Sequence, residues 1–391
     1  MREEKKIFGF SKNIFNLGLI SFFTDFSSEM IYPLLPVFLT SVLHASFAFV
    51  GVVEGIAQST ASILKLVFGW LSDKTNKRKV FVATGYTISS IIRPMVAFAV
   101  APWQVLFIRF ADRVGKGIRN APRDALIADT CEPDKKGKAF GFNRAMDHAG
   151  AVIGPLAAYL LLLYFTNNYR LVFALSFIPA LIAVFIVLFL IKEKKKDNIC
   201  KNEPVKLNFK IFDKNFKTFL IVIFIFTLGN SSDAFLILRA KDLGIPVVFL
   251  PVLWMLLHIV KAVGAGPGGA LSDKLGRKKI IIAGWIVYFL AYLGFAFAGN
   301  SYHIWLLFAV YGFFFALTEA AEKAYVADLV DDNIRGSAYG AYNFIIGIGA
   351  LPASLIMGIL WQKFGVVSAF SFGAVLAVIS AFLLAFTVKN K

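Results

Sequence analysis

The sequence predicts an all-α membrane protein whose twelve transmembrane helices form two six-helix halves. Three observations support this prediction: the composition, the number of long apolar runs, and the uneven distribution of basic residues. Of the 391 residues, 58% are hydrophobic and 42 are phenylalanine, which is far above the share in soluble domains. The net charge of +17 does not indicate a nucleic-acid partner, because the charges lie in short loops rather than on a soluble basic face.

Apolar runs long enough to cross a bilayer follow one another along the chain. The first half, residues 1–191, has runs at 14–41, 47–72, 79–100, 103–130, 138–164 and 170–191. A polar linker at 192–215 separates it from the second half, residues 216–391. That half has runs at 216–241, 247–272, 279–299, 303–329, 337–362 and 366–388.

Lysine and arginine residues between the runs are concentrated on one side of the predicted membrane. They lie in the N-terminal tail, in every second loop, in the linker and in the C-terminal tail, whereas the opposite side has only Arg170, Lys241 and Lys363. Basic loops remain in the cytoplasm, so we expect a multi-pass protein of the cytoplasmic membrane with both termini cytoplasmic. Cys131 and Cys200 fall in loops on that side, where a disulfide is not expected.

The two halves share sequence. The segment 69–79, GWLSDKTNKRK, recurs as GALSDKLGRKK at 269–279, an offset of 200. A second pair of matching segments, around 128–141 and 327–340, has an offset of 199. Parallel repeats of this kind are related by a pseudo-two-fold axis along the membrane normal and are typical of transporters.

On these motifs the chain resembles the major facilitator superfamily of secondary transporters over essentially its whole length. The repeated loop is similar to the superfamily's cytoplasmic motif between helices 2 and 3, and the resemblance implies that it latches the two halves together. Its predicted gating residues are Gly69, Asp73, Arg78, Gly269, Asp273 and Arg277. A carboxylate at Asp73 could bind the N-terminus of a helix in the opposite half.

The predicted fifth helix has a second motif of the family. Gly141, Gly150, Gly154 and Pro155 have the spacing of the antiporter-associated motif. Glycines permit close helix approach, and the resemblance implies a tight seam between helices 5 and 8. The alternative is ordinary small-residue packing.

The predicted fourth helix is unusually charged for a membrane span. A charge at bilayer depth costs about 2.5–3.5 kcal/mol on insertion scales, so these side chains must face other helices or a water-filled cavity. They share one helical face, and they comprise Arg109, Asp112, Arg113, Lys116, Arg119 and Arg123. They favour a substrate or proton path, with a structural charge network as the alternative.

Two acids on the first helix, Asp25 and Glu29, are four residues apart and share a face. Counted at 1.5 Å per residue, Asp25 lies roughly 17 Å from the start of its run and Arg113 roughly 15 Å from the start of its own. We therefore expect Arg113 and Lys116 to face Asp25 and Glu29 and to form a coupling site. The alternative is a permanent ion pair.

Further charges inside the runs are candidates for substrate binding or proton coupling. They are Glu54, Arg144, Asp147, Asp233, Glu319 and Glu322. In the first half the basic residues slightly outnumber the acidic ones, which favours an anionic or zwitterionic substrate. The sequence has no metal-ligand spacing, no nucleotide-binding motif and no catalytic signature, so we expect no metal, no cofactor and no enzymatic activity.

These features predict a secondary active transporter of a small solute that works by alternating access, most simply as a proton-coupled exporter and a monomer. Two alternatives remain open at this point. One is an importer or uniporter of an organic anion. The other is a membrane sensor that has the transporter fold without transporting.

Overall fold

A computed structural model of the chain describes residues 10–75, 77–130, 136–165, 168–193, 211–331 and 334–388. Nearly all of these residues lie in helices. Most of the predicted linker lies outside the described residues, as do Cys131 and Cys200.

The described residues form two compact units. Residues 10–34 and 63–193 make up the first unit, and residues 35–62 and 211–388 make up the second. This division differs from the halves expected from the sequence, 1–191 and 216–391, because residues 35–62 belong to the second unit.

The helices of the first unit follow the apolar runs of the sequence. They are α1 (Lys12–Ile31), residues 63–75 of α2 (Phe47–Thr75), α3 (Arg78–Phe98), α4 (Pro102–Thr130), α5 (Lys136–Tyr164) and α6 (Tyr169–Leu190). The last six residues of α3, from Arg93, form a 3-10 helix that contains Pro94, because proline cannot donate the hydrogen bond that would continue an α-helix.

The second unit contains the first part of α2 and five further helices. These are α7 (Lys214–Asp242), α8 (Val247–Leu275), α9 (Arg277–Phe297), α10 (Ser301–Leu329) and α11 (Arg335–Thr387). The α-helical hydrogen bonding of α7 is interrupted between Gly229 and Ala234. Helix α11 is broken at Gly365, whose φ of 82° is left-handed and suits glycine.

A glycine-lined contact explains why residues 47–62 of α2 belong to the second unit. A Cβ atom on Gly51 would lie 2.2 Å from the carbonyl oxygen of Ser354 in α11, and one on Gly55 would lie 2.9 Å from the Cα of Leu351. The backbones of α2 and α11 can approach this closely only because both positions lack a side chain.

Nine helices in the described part of the chain, α2, α3 and α5 to α11, are long and apolar enough to cross a membrane. One of them, α11, has 53 residues and is broken at Gly365, and each of its two helical segments, 335–364 and 366–387, is long enough to cross a bilayer. The fold is therefore that of an all-helical, multi-pass membrane protein.

Candidate functional site

Two glycines of α5 bring α1 and α5 into backbone contact. A Cβ atom on Gly150 would lie 2.3 Å from a carbonyl oxygen of α1, and one on Gly154 would lie 2.5 Å from another. The same two positions face the Cβ atoms of Asp25 and Glu29, at 3.2 and 3.1 Å. The packing of α5 on α1 therefore determines where these two carboxyl groups lie.

The seam with the eighth helix that the family resemblance implies for these glycines stays a prediction. The nearest atoms to either glycine belong to α1, because α1 is the helix that packs along this face of α5. A Cβ atom on Gly141 would have no atom of the described residues within 4 Å, so Gly141 makes no close packing contact with this part of the chain. Pro155 is buried within α5, one residue after Gly154.

Asp25 and Glu29 are half-buried in the first unit. Lys116 of α4 interacts electrostatically with both of them. Asp25 also interacts with Glu29 and Asp147, which oppose its charge, and with Arg123, which stabilises it. The cluster therefore contains acids that repel one another and cations that compensate them, and uptake of one proton changes that balance.

Arg123 is held by a ring of polar contacts that joins three helices. It donates to the hydroxyl of Ser21 on α1 at 3.1 Å, and it lies 3.7 Å from Asp147 on α5. The Ser21 hydroxyl donates to Asn143 at 3.1 Å, and the Asn143 amide donates to Asp147 at 3.4 Å. Because every member has a partner within the ring, the position of Arg123 beside Asp25 is well defined.

Asp112 is the centre of a second, more deeply buried cluster. Two nitrogens of Arg93 donate to Oδ1 of Asp112 at 3.2 and 3.1 Å. Its Oδ2 lies 3.9 Å from nitrogens of both Arg109 and Arg113. Arg93 also donates to the carbonyl oxygen of Thr24 at 3.2 Å, which ties the cluster to α1. One carboxylate therefore compensates several guanidinium groups.

The structure distributes the charges of α4 among several neighbours. Arg113 contacts Asp112, and Lys116 is the α4 cation that interacts with both Asp25 and Glu29. The pairing of Arg113 with Asp25 or Glu29 stays a prediction. Arg119 lies over the ring of Tyr86, 4.6 Å from its centroid, and therefore faces α3.

Two further cations of the predicted set lie at the edges of these clusters. Arg109 lies 5.7 Å from the ring centroid of Tyr32. Arg144 is 3.7 Å from Asp147, but its side chain is 59% exposed, so this ion pair is weak.

The predicted acids of the second half belong to the second unit, where neutral donors hold two of them. Asp233, at the interruption of α7, accepts a hydrogen bond from the hydroxyl of Tyr311 at 2.6 Å. Glu322 accepts hydrogen bonds from Trp285 at 3.1 Å and from Tyr342 at 2.6 Å.

The remaining two acids have different surroundings. Glu319 pairs with Lys323 at 3.2 Å, and both side chains are more than 40% exposed. Glu54 is buried, and it lies in the part of α2 that belongs to the second unit.

Sequence reasoning did not select three residues that organise the first unit: Arg93, Ser21 and Asn143. A charge in the middle of an apolar run, directly before Pro94, is a usable signal for Arg93. Ser21 and Asn143 have no such signal, because single small polar residues are common in membrane helices.

The two copies of the loop motif make matching contacts, one in each unit. Arg78 forms ion pairs with Asp73, at 2.9 Å, and with Asp129. Arg277 forms ion pairs with Asp273, at 3.6 Å, and with Asp328. Each arginine also donates to a carbonyl oxygen of the next even-numbered helix, at 3.1 Å in α4 and 2.8 Å in α10. A Cβ atom on Gly69 would lie 3.1 Å from the Cβ of Ala121 in α4, and one on Gly269 would lie 3.8 Å from the Cβ of Ala320 in α10.

We expect Arg78→Ala to destabilise the protein more than Arg277→Ala. The Arg78 side chain is 16% exposed and that of Arg277 is 28% exposed, and the partners of Arg277 are also the more exposed. Burial strengthens an ion pair, so we expect about 1–2 kcal/mol for Arg78→Ala and below about 1 kcal/mol for Arg277→Ala. Thermal unfolding in detergent measures both, and equal losses would contradict this ranking.

No group of three or more His, Cys, Asp or Glu side chains in the described ranges is arranged to hold a metal ion.

Apolar helices around buried charge clusters define a multi-pass membrane transporter. The chain belongs to the Major Facilitator Superfamily, whose family model matches residues 17–260 and 218–391. It is therefore a transporter rather than an enzyme.

Three known proteins illustrate this similarity. An uncharacterized MFS-type transporter of Methanocaldococcus jannaschii is 39% identical over 96% of this chain and 95% of its own length. The multidrug resistance protein MdtH of Salmonella arizonae is 23% identical over 82% of this chain and 79% of its own. The crystal structure of a mutant of the nucleoside transporter NupG has the same fold, with a TM-score of 0.83 at 16% identity, over 96% of this chain and all of that one.

Proposed function

We propose that this transporter exports a small anionic or zwitterionic solute from the cell by proton-coupled alternating access. The observation that supports this most is the placement of Asp25 and Glu29, two half-buried carboxyl groups of α1, where both interact with Lys116 of α4. Ionisable side chains inside a membrane protein are costly to keep, and they usually mark a path for substrate or protons.

Proton binding and substrate binding are linked through Lys116 in this mechanism. When Asp25 and Glu29 are both ionised, they hold the ammonium group of Lys116. When one of them is protonated, the attraction weakens, and Lys116 can bind an anionic group of the solute. Release of the solute lets both carboxyl groups ionise and attract Lys116 again, so binding of the solute and binding of the proton depend on each other.

The outward direction of transport has two lines of support. It rests on the spacing of Gly150, Gly154 and Pro155, which resembles the antiporter-associated motif, and on the similarity to a protein named for multidrug resistance. Uptake of an organic anion would use the same cluster with the solute moving inward.

We also propose that the chain crosses the membrane twelve times. The nine apolar helices would be joined by α1 and α4, whose charged side chains contact other helices rather than lipid. Helix α11 would cross twice, turning at Gly365. Residues 1–191 and 216–391 would then be two six-helix halves joined by a cytoplasmic linker, in a monomer of the cytoplasmic membrane.

Cysteine labelling tests this topology. In a variant whose native cysteines are replaced, Ser46→Cys should react with a membrane-impermeant maleimide in intact cells, because Ser46 is exposed between α1 and α2. A variant that retains only Cys200 should react only after the cells are permeabilised. Labelling of Cys200 in intact cells would overturn the proposed orientation.

Reconstituted liposomes test the function itself. An imposed pH gradient should drive the uphill movement of an anionic or zwitterionic compound from a panel, and the compound should in turn cause a measurable proton flux. Movement without proton flux would indicate a uniporter. A protein that binds a compound and moves none would be a sensor, which would contradict the proposal.

A further inference from the structure

Lys261 of α8 is a cation in the membrane-spanning part of the second unit. It lies eleven residues after Leu250, where the regular α-helix of α8 begins, or about 16 Å along the axis at 1.5 Å per residue. This is about half of the hydrocarbon thickness of a bilayer. A lysine at this depth is too far from either surface for its side chain to reach the headgroups.

The ammonium group of Lys261 has an aromatic contact, and none of the described residues forms an ion pair with it. It lies over the ring of Phe315 in α10, 3.7 Å from the ring centroid. No carboxylate in the described part of the chain lies within 4 Å of it. The side chain is half-buried, so part of it stays accessible to a bound molecule.

The surroundings of Lys261 would suit a ligand with a flat apolar body. Phe315 packs edge-on against Tyr311, with the ring centroids 5.1 Å apart. One turn earlier on α8, His258 packs edge-on against Trp254, also at 5.1 Å. Residues 254, 258 and 261 are spaced by four and three, so they share one helical face.

A cation–π contact alone does not compensate a buried ammonium group. Such contacts contribute about 0.5–2 kcal/mol, whereas a charge at the centre of a membrane costs about 2.5–3.5 kcal/mol on insertion scales. The nearby aromatic rings add no negative charge. The missing compensation therefore comes from outside the protein, and an anionic group is the species that provides it.

We propose that Lys261 binds an anionic group of the transported solute, and that Phe315 packs against the solute's apolar body. The inference rests on the proposed transport function and defines its substrate class as organic anions with a planar apolar part. The site lies within the second unit and is separate from the cluster of Asp25, Glu29 and Lys116 in the first. Each can therefore be tested alone.

The test measures binding without any gradient. Purified protein in detergent at pH 7 is heated with increasing benzoate or phenyl phosphate, and with benzyl alcohol and benzylamine as neutral and cationic compounds of similar shape. The wild-type protein should unfold at a higher temperature with the two anions only. Lys261→Met should weaken anion binding at least about tenfold, because charged hydrogen bonds are the strongest that proteins make.

Two further variants serve as controls. Lys323→Met removes an exposed lysine that pairs with Glu319, and it should leave anion binding unchanged. Lys261→Arg keeps the charge and should retain part of the binding. The proposal is overturned if Lys261→Met binds the anions like the wild type, if the wild type prefers benzylamine, or if neither anion raises its unfolding temperature.

The two proposals can fail separately. If Asp25→Asn binds benzoate normally but still transports uphill, the coupling mechanism is wrong and the Lys261 site stands. If Lys261→Met binds benzoate normally while coupling requires Asp25, the anion site is wrong and the coupling mechanism stands.

Discussion

We expect Asp25→Asn to abolish proton-driven uphill transport and to leave downhill exchange of the solute largely intact. The neutral amide imitates the protonated carboxyl group, so Lys116 is always available to the solute but the cycle no longer takes up a proton at Asp25. Uphill accumulation in liposomes with an imposed pH gradient should fall to the level of empty liposomes. Counterflow of labelled solute, measured in the same preparation without a gradient, should continue.

A matched variant separates coupling from a general loss of charge. Asp213→Asn also removes one carboxylate, but Asp213 is exposed and caps the N-terminus of α7 by accepting a hydrogen bond from Phe216. Asparagine caps a helix as well as aspartate does, so this variant should transport like the wild type. The coupling mechanism fails if Asp25→Asn and Glu29→Gln, alone and together, still drive uphill transport with wild-type pH dependence.

The two acids of α1, and the helix that contains them, could be predicted from the sequence alone. Asp25 and Glu29 stand out because they are charges four residues apart in an apolar run, and helical periodicity then puts them on one face. The sequence could not show which helix packs against that face. Gly150 and Gly154 signal a close contact for α5, but the identity of the partner, α1 in the structure, depends on tertiary packing.

The charges of α4 show more clearly that a sequence does not predict the partner of a side chain. A periodicity of 100° per residue defines one polar face, but long arginine side chains can reach several neighbours from it. Arg119 lies over Tyr86 of α3, and Arg113 contacts Asp112, although both were grouped with Lys116. The pairing depends on Arg93, which comes from α3 and occupies one oxygen of Asp112.

The loop repeats show how a one-residue difference escapes a sequence comparison. The segments 69–79 and 269–279 match at an offset of 200. The two arginines that make equivalent contacts, Arg78 and Arg277, are 199 residues apart, as are their partners Asp129 and Asp328. The loop of the second copy is therefore one residue shorter between its aspartate and its arginine.

The largest effect on stability should come from Asp112→Ala. The variant removes the carboxylate that accepts two hydrogen bonds from Arg93 and lies 3.9 Å from both Arg109 and Arg113. Asp112 is 3% exposed, and Arg93 and Arg109 are 5% exposed, so water cannot solvate the arginines that lose their counter-charge. Breaking a buried pair from one side typically costs about 3–5 kcal/mol. We expect a large drop in the yield of monodisperse protein and in its unfolding temperature.

Two further variants test whether uncompensated charge is the cause. Asp124→Asn removes a carboxylate that is 40% exposed and pairs with Arg123, and it should change the unfolding temperature little, because exposed pairs contribute little. Asp112→Leu combined with Arg93→Met removes both members of the central pair and should recover part of the stability that Asp112→Ala loses, since apolar replacements of a buried pair are often tolerated. If the double variant is no more stable than Asp112→Ala, the loss reflects packing around Asp112. If Asp112→Ala is as stable as the wild type, the remaining acids of the first unit must already compensate the three arginines.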